Sequence, residues 1–259
     1  MSLVYVFAAS KMEGQPVGRI VSANLETSAT PPPEPPRSGA NEIVLVIGGM
    51  GPKKAQAKAT ETLAIASHPS PSIPSGRRPD AVLIIGLCGG LTSSLSENKI
   101  VAYTDCLSTE PDKPLLQCSA TVTNKVIEFL QSHGISCERV VGITSPRIAV
   151  TKDDKVALAK RGANAVDMES YEIIAVAGQA GIPAVALRVV SDTPDTNMPD
   201  FNRALNRDGM LDGRKALRVA LASPIRTARL LSANKRAMSH LAKALEIILP
   251  ADCFPKGQL

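Results

Sequence analysis

The chain has no tryptophan, three tyrosines, four phenylalanines and three scattered histidines. With so few rings, any core must be built from Val, Ile, Leu and Ala. The same scarcity leaves little for an aromatic platform of the kind that binds single-stranded nucleic acid, and no recognition motif is present, so no nucleic-acid partner is expected. His68, His133 and His240 are dispersed, and Asp195 and Asp200 lack a metal-ligand spacing, so no metal site is expected. The cysteines Cys88, Cys106, Cys118, Cys137 and Cys253 are odd in number and contain no CxxC pair, which argues against a disulfide scaffold and for reduced, buried thiols. No apolar run approaches the roughly 20 residues that span a bilayer. The opening MSLVYVFAAS lacks a charged segment and reads as a first strand rather than a signal peptide. These absences lead to the expectation of a soluble, cytoplasmic protein.

Hydrophobic residues make up 44% of the 259, enough for a sizeable core, and 18 glycines with 20 prolines suit many short connections. The net charge of +5 is concentrated, because Arg203 to Lys243 holds ten Lys/Arg against Asp208 and Asp212.

Along the chain, Leu3–Ala9, Glu42–Ile47, Asp80–Ile85, Lys99–Thr104 and Arg139–Thr144 read as strands apolar on both faces. Helical stretches are expected at Lys53–Ser67, Val122–His133 and Asp153–Arg161, with Pro52, Gly134 and Gly162 as start and stop signals. The proline-rich residues 30–39 (TPPPEPPRSG) read as an exposed loop too near the start to divide two domains. Beyond Pro224 a helix carries Leu231, Asn234, Met238, Leu241, Leu245 and Ile248 on one stripe. Strands alternating with helices predict one α/β domain over residues 1–259. Its architecture is three layers, α/β/α, around a central mixed sheet, with a basic helical part at 203–249.

Polar residues collect where strands end. GGMG (Gly48–Gly51) follows one strand, GLCGG (Gly86–Gly90) reads as a glycine turn after another, and Ser191–Asp192 closes a third. Ligands of open α/β sheets bind at such carboxyl ends. Glycine there lets a ligand approach the backbone, although a plain turn explains it equally well. Residues 165–192 (AVDMESYEIIAVAGQAGIPAVALRVVSD) add Asp167, Glu169 and Asp192 around a short strand, a helix and another strand.

In that combination the sequence resembles the nucleoside phosphorylase and nucleosidase superfamily, which cleaves the N-glycosidic bond of nucleosides. The carrying residues are VDMES (Val166–Ser170), PAVALRVVSD (Pro183–Asp192), the two glycine segments, and an Ala-x-x-x-Glu pattern at Ala9–Glu13. Met198–Pro224 is similar, more loosely, to the hopanoid-associated phosphorylase branch, which is thought to release adenine from adenosylhopane.

The resemblance implies roles. Asp192 would protonate the leaving base near N7, helped by Ser191, and to do so it should be partly buried and hold its proton. Glu169 would bind the ribose hydroxyls, with Met168 against sugar or base, and Gly49, Gly86, Leu87, Cys88 and Gly89 would line the substrate. Glu13 would sit beside an attacking water. Structural alternatives exist for each: Asp192 as a helix cap, Glu169 as a first-turn glutamate, Met168 as core, Glu13 as surface. Asp167 reads as structural, and the role of Arg188 is open.

No cofactor is expected beyond inorganic phosphate as a co-substrate, and phosphorolysis is favoured over hydrolysis through the C-terminal resemblance alone. Two departures count against a simple transfer. Some phosphorylases place Arg and Ser around the second glycine segment, where this chain has Ile84 and Leu87, so phosphate would have to rely on amides with Lys53, Lys54 or Arg147. Nor does Thr144–Thr151 supply an aromatic to stack the base, leaving Phe201 or Tyr171 as substitutes. The expected partner is a small-molecule nucleoside, in a homo-oligomer, dimer or trimer. The basic C-terminal helices either present a solvated positive face or touch anionic membranes peripherally.

Overall fold

The computed structural model describes residues 1–26, 41–65, 77–206 and 212–256; the proline-rich residues 30–39 lie outside them. The strands are β1 (Leu3–Ala8), β2 (Glu42–Ile47), β3 (Ala81–Gly90), β4 (Ile100–Ser108), β5 (Leu116–Gln117), β6 (Cys137–Thr144), β7 (Ala165–Asp167) and β8 (Ala184–Asp192). The helices are α1 (Lys11–Glu26), α2 (Pro52–Ile65), α3 (Ala120–Ser132), α4 (Lys152–Ala159), α5 (Ser170–Gln179), α6 (Gly213–Ala222) and α7 (Pro224–Ile248), with a 3₁₀ turn at Phe201–Ala204. The sheet is mixed and covered on both faces, as the doubly apolar strands require. One side packs Val4, Val6, Leu83 and Leu187 against Leu241 and Leu245 of α7. The other packs Tyr5, Phe7, Val82 and Ile84 against Ala55 of α2 and Ile173 of α5.

Two expectations need correction, and one helix was not anticipated. GLCGG is not a turn after a strand: β3 runs through Gly90. Helix α1, unanticipated, forms despite Gly14, Pro16 and Gly18. Leu231 is 63% exposed, because α7 buries a stripe running through Ala237, Leu241, Leu245 and Ile248 and Leu231 falls roughly a quarter turn off it.

The pairing of β3 places the site. On one flank it pairs with β8 along nearly its whole length. On the other it pairs with β1, parallel, only as far as Ala8↔Ile85, and then with β7, antiparallel, from Gly89↔Val166. The flank of β3 is thus open across Gly86–Cys88. Because β1 and β7 approach from opposite directions, their carboxyl ends face one another across that gap. This is a switch point of the sheet, where ligands of α/β folds bind. The remaining pairings, β8 with β4, β4 with β6 and β6 with β7, close a ring of strands back to β3.

Candidate active site

Each strand end delivers a carboxylate to the gap. Glu13 comes from the first turn of α1, just after β1, and is buried. Its Oε1 accepts from the Leu87 amide at 3.0 Å, the amide left free by the break in pairing, and its Oε2 accepts from the Ser10 hydroxyl at 3.3 Å. Glu169 follows β7, and its Oε1 accepts from the Gly51 amide, just before α2, at 3.0 Å. Arg188, from the middle of β8, lies fully buried between them. It sits 3.6 Å from Glu169 and 3.4 Å from Asp167, and it donates to Ser170 Oγ at 2.9 Å and to the Ile85 carbonyl at 3.3 Å.

Three carboxylates thus share one guanidinium out of water. Burial pushes the Glu169 carboxyl up to about 7; Arg188 opposes that rise, and Asp167 and Glu13 add to it. Burial works against the charge on Arg188, yet Asp167 and Glu169 outweigh it and hold the guanidinium above its ordinary value. Gly86 is where this cluster presses on the backbone. Its φ is +144°, and a Cβ there would lie 2.6 Å from both Arg188 Nη1 and Glu13 Oε1. A glycine is required at Gly86 by charged side chains, which composition could not show.

Farther along β3, Asp192 packs over Gly89, where a Cβ would meet its Oδ2 at 3.2 Å. It arrives through a bulge: Val190 pairs with Cys88 and Asp192 with Gly89, so Ser191 is the extra residue. Such a bulge re-aims the side chains beyond it. Ser191 Oγ donates to Asp192 Oδ1 at 2.8 Å and also lies 3.2 Å from the Cys88 carbonyl. Burial holds the Cys88 thiol protonated.

The partner of Asp192 was not foreseen, and with Ser191 on its other oxygen it makes Asp192 an acceptor at both oxygens rather than the proton-holding acid expected. Lys155, in α4, is fully buried, with Nζ 2.5 Å from Asp192 Oδ2, 2.6 Å from the Thr193 carbonyl and 3.1 Å from that of Thr196. All three ammonium protons therefore have acceptors, the condition under which a buried cation is tolerated. Thr151 and Asp154 form a capping box that starts α4 and fixes where Lys155 falls. In sequence Lys155 is one of several lysines in KDDKVALAKR, and its only distinguishing signal is a position on the inward side of that helix.

Among the other sequence candidates, Met168 is half-buried between Asp167 and Glu169, and Gly49 adopts φ +83° beneath the Lys54 side chain. Asp167 is structural in its contacts: Oδ1 accepts from Thr144 Oγ1 at 2.8 Å and from the Glu169 and Ser170 amides at 3.0 Å, which starts α5. Glu13 is not a surface residue, and Asp192 does not cap a helix, since it ends β8. Tyr171 is committed elsewhere, with its hydroxyl donating to the Pro114 carbonyl at 2.8 Å. Phe201 remains half-exposed, next to Asn202, which exchanges hydrogen bonds with the Ile148 backbone at 2.8 and 2.9 Å. A crevice lined by Ala8, Gly48, Ile84, Glu169 and Arg188 marks the gap; the larger cleft, about 850 Å³ beside α1 and β2, contains none of the predicted residues. Among the described residues no cluster of His, Cys, Asp and Glu could hold a metal.

The architecture is shared with proteins of known structure. The chain is similar to 5′-methylthioadenosine/S-adenosylhomocysteine nucleosidase from Neisseria meningitidis, solved with methylthio-immucillin-A. The identity is 16%, over 96% of this chain and 99% of that one, with a TM-score of 0.67. It is also similar to a futalosine hydrolase mutant from Helicobacter pylori, at 17% identity over 94% of this chain and 100% of that one, TM-score 0.58. At such identities the likeness concerns the fold. No curated protein sequence matches the chain. Residues 36–212 match the family model described as the phosphorylase superfamily, and by that match, over the greater part of its length, the chain belongs to that superfamily.

Proposed function

We propose that the protein hydrolyses the N-glycosidic bond of a purine nucleoside, with the sugar at Gly86 and the base toward Gly89. The observation that carries the choice of water over phosphate is that the amides best placed to hold an anion are already occupied. Leu87 N is taken by Glu13 and Gly51 N by Glu169. A phosphate would have to displace both carboxylates next to Asp167. Of the cations it would call on, Lys53 and Arg147 are exposed, and Lys54 lies against Gly49. The nucleosidase and hydrolase among the similar structures lend support to this reading.

In this mechanism the C1′–N9 bond breaks with both electrons leaving on the base. Positive charge grows on the ribosyl carbon beside Glu13 and Glu169, whose excess of negative charge stabilises it. Glu169 accepts from the ribose hydroxyls. A proton reaches N7 by way of Asp192, whose carboxylate passes on a proton drawn from the Lys155 ammonium that hydrogen-bonds its Oδ2, leaving that lysine neutral until it is reprotonated from solvent. Water adds to C1′ and loses its proton to Glu13, yielding free base and free sugar. Adenine is the base expected from the family resemblance, and Phe201 is the ring left to stack it.

The test is base release from a nucleoside panel with and without phosphate. Free ribose formed at a phosphate-independent rate is expected. Ribose 1-phosphate would overturn hydrolysis, and release from no nucleoside would overturn the enzymatic reading.

A further inference from the structure

Eight large hydrophobic side chains are prominently exposed on the described surface, and four of them crowd into fifteen residues: Leu217, Leu221, Ile225 and Leu231, exposed by 59–70%. They lie on α6 and the first two turns of α7. Helix α6 buries no residue at all. It is held by its ends: Asp212 accepts from the Arg214 and Lys215 amides at 2.9 and 3.1 Å, and the helix packs on the 3₁₀ turn at Phe201–Ala204.

Its faces are sorted. Ala216, Val219 and Ala220 are half-buried and turn inward. Leu217 and Leu221, four residues apart, share the neighbouring exposed face, and Arg214 and Arg218 lie one step farther round. Across the Ser223–Pro224 break, Ile225 is exposed with Arg226 and Arg229 beside it. Arg214, Lys215, Arg218, Arg226 and Arg229 are all exposed, and none is in an ion pair among the described residues. A cluster of exposed leucines and isoleucine of this kind marks a surface that something covers, and the solvated cations along its edge say which sign of charge that partner carries.

We propose that α6 and the start of α7 dock the protein onto an anionic lipid bilayer. Leu217, Leu221 and Ile225 would enter the acyl boundary, while the flanking Arg and Lys reach lipid phosphates. A bilayer answers both halves of the pattern, because long cationic side chains keep their heads at the headgroup level while apolar neighbours are buried. A second copy of the chain answers only one half: a self-complementary two-fold contact would set this arginine cluster against itself. Nucleic acid fits poorly, since the stripe is aliphatic and offers no ring to stack a base. The proposal goes beyond the nucleosidase reading and does not depend on it.

The experiment is co-sedimentation of the full chain with phosphatidylcholine vesicles, with or without phosphatidylglycerol. Binding should appear with the anionic lipid, weaken at high salt and resist competition by soluble glycerol phosphate. Leu217→Ser with Leu221→Ser should reduce the bound fraction about tenfold or more, since each lost leucine contact weakens partitioning severalfold. Arg214→Gln with Arg218→Gln should remove the preference for anionic lipid. All four positions are on the surface, so circular dichroism should be unchanged. Equal recovery with both kinds of vesicle, no recovery, or indifference to both pairs of substitutions would overturn the proposal. So would a lipid-free dimer that the leucine pair dissolves while vesicles recover nothing.

Discussion

The two poles of the gap in β3 use the same ingredient, a buried carboxylate, in opposite settings. At Gly86 three carboxylates share Arg188, leaving an excess of negative charge. At Gly89 one carboxylate faces one lysine, and the charges balance. The poles are three residues apart on one strand, about 10 Å at ordinary strand rise. A charge-rich pole suits the part of a substrate that becomes cationic, and a balanced pole suits a proton that must be handed over and replaced. One-sided charge serves stabilisation, and paired charge serves transfer.

The balanced pole is where the contrast breaks most severely. Asp192→Asn keeps the shape and the Ser191 contact but cannot take up and pass on a proton, so kcat should fall by about 10²–10⁴, read in steady-state base release. Activity within a factor of about three of the parent would remove Asp192 from the mechanism. Lys155→Met acts on the same pole through stability. It strands a buried carboxylate, a change worth roughly 3–5 kcal/mol, visible as an earlier urea midpoint. Adding Asp192→Asn to Lys155→Met should recover most of that loss. If the two losses simply add, the pair is not coupled.

At the other pole, Gly86→Ala tests the crowding around Arg188. A methyl 2.6 Å from both Arg188 Nη1 and Glu13 Oε1, on a backbone at φ +144°, forces the two charged groups apart. The expected cost is about 1–3 kcal/mol in stability, with a larger share of the loss in kcat/KM than Gly89→Ala produces. Equal effects at the two glycines would mean that the poles differ less than their charges suggest.

How much of this could be read in the sequence divides along the same line. Strand periodicity places β1, β2 and β6 within a few residues, the acids Glu169 and Asp192 stand out because packing does not ask for them at strand ends, and Glu13 is reached only through the family resemblance. Their surroundings depend on long-range pairing that no local pattern encodes. The glycine run reads as a turn because glycine after apolar residues often makes one; only the switch of β3 from β1 to β7 explains why the strand continues through it. Lys155 is invisible for the same reason. Its acceptors lie 37 to 41 residues away, beyond any helical spacing.

The finest discrimination between the poles is by pH. With burial raising the Glu169 carboxyl from 4.5 to about 7, a ribose site that needs its carboxylate should lose kcat/KM as the pH falls below about 7. The stability sign runs the other way. A carboxyl raised in the folded state binds its proton more tightly there, so its contribution is full below 4.5 and is lost as the pH rises through about 7. Glu169→Gln should therefore abolish the acid limb of the activity profile and flatten the fall in stability between those values. The two curves must change together, because one proton on one side chain governs both. If the acid limb persists in Glu169→Gln, it belongs to a different group. If the limb vanishes while the stability profile is untouched, Glu169 binds its proton equally in both states, and the excess of negative charge at Gly86 is neutralised in some other way.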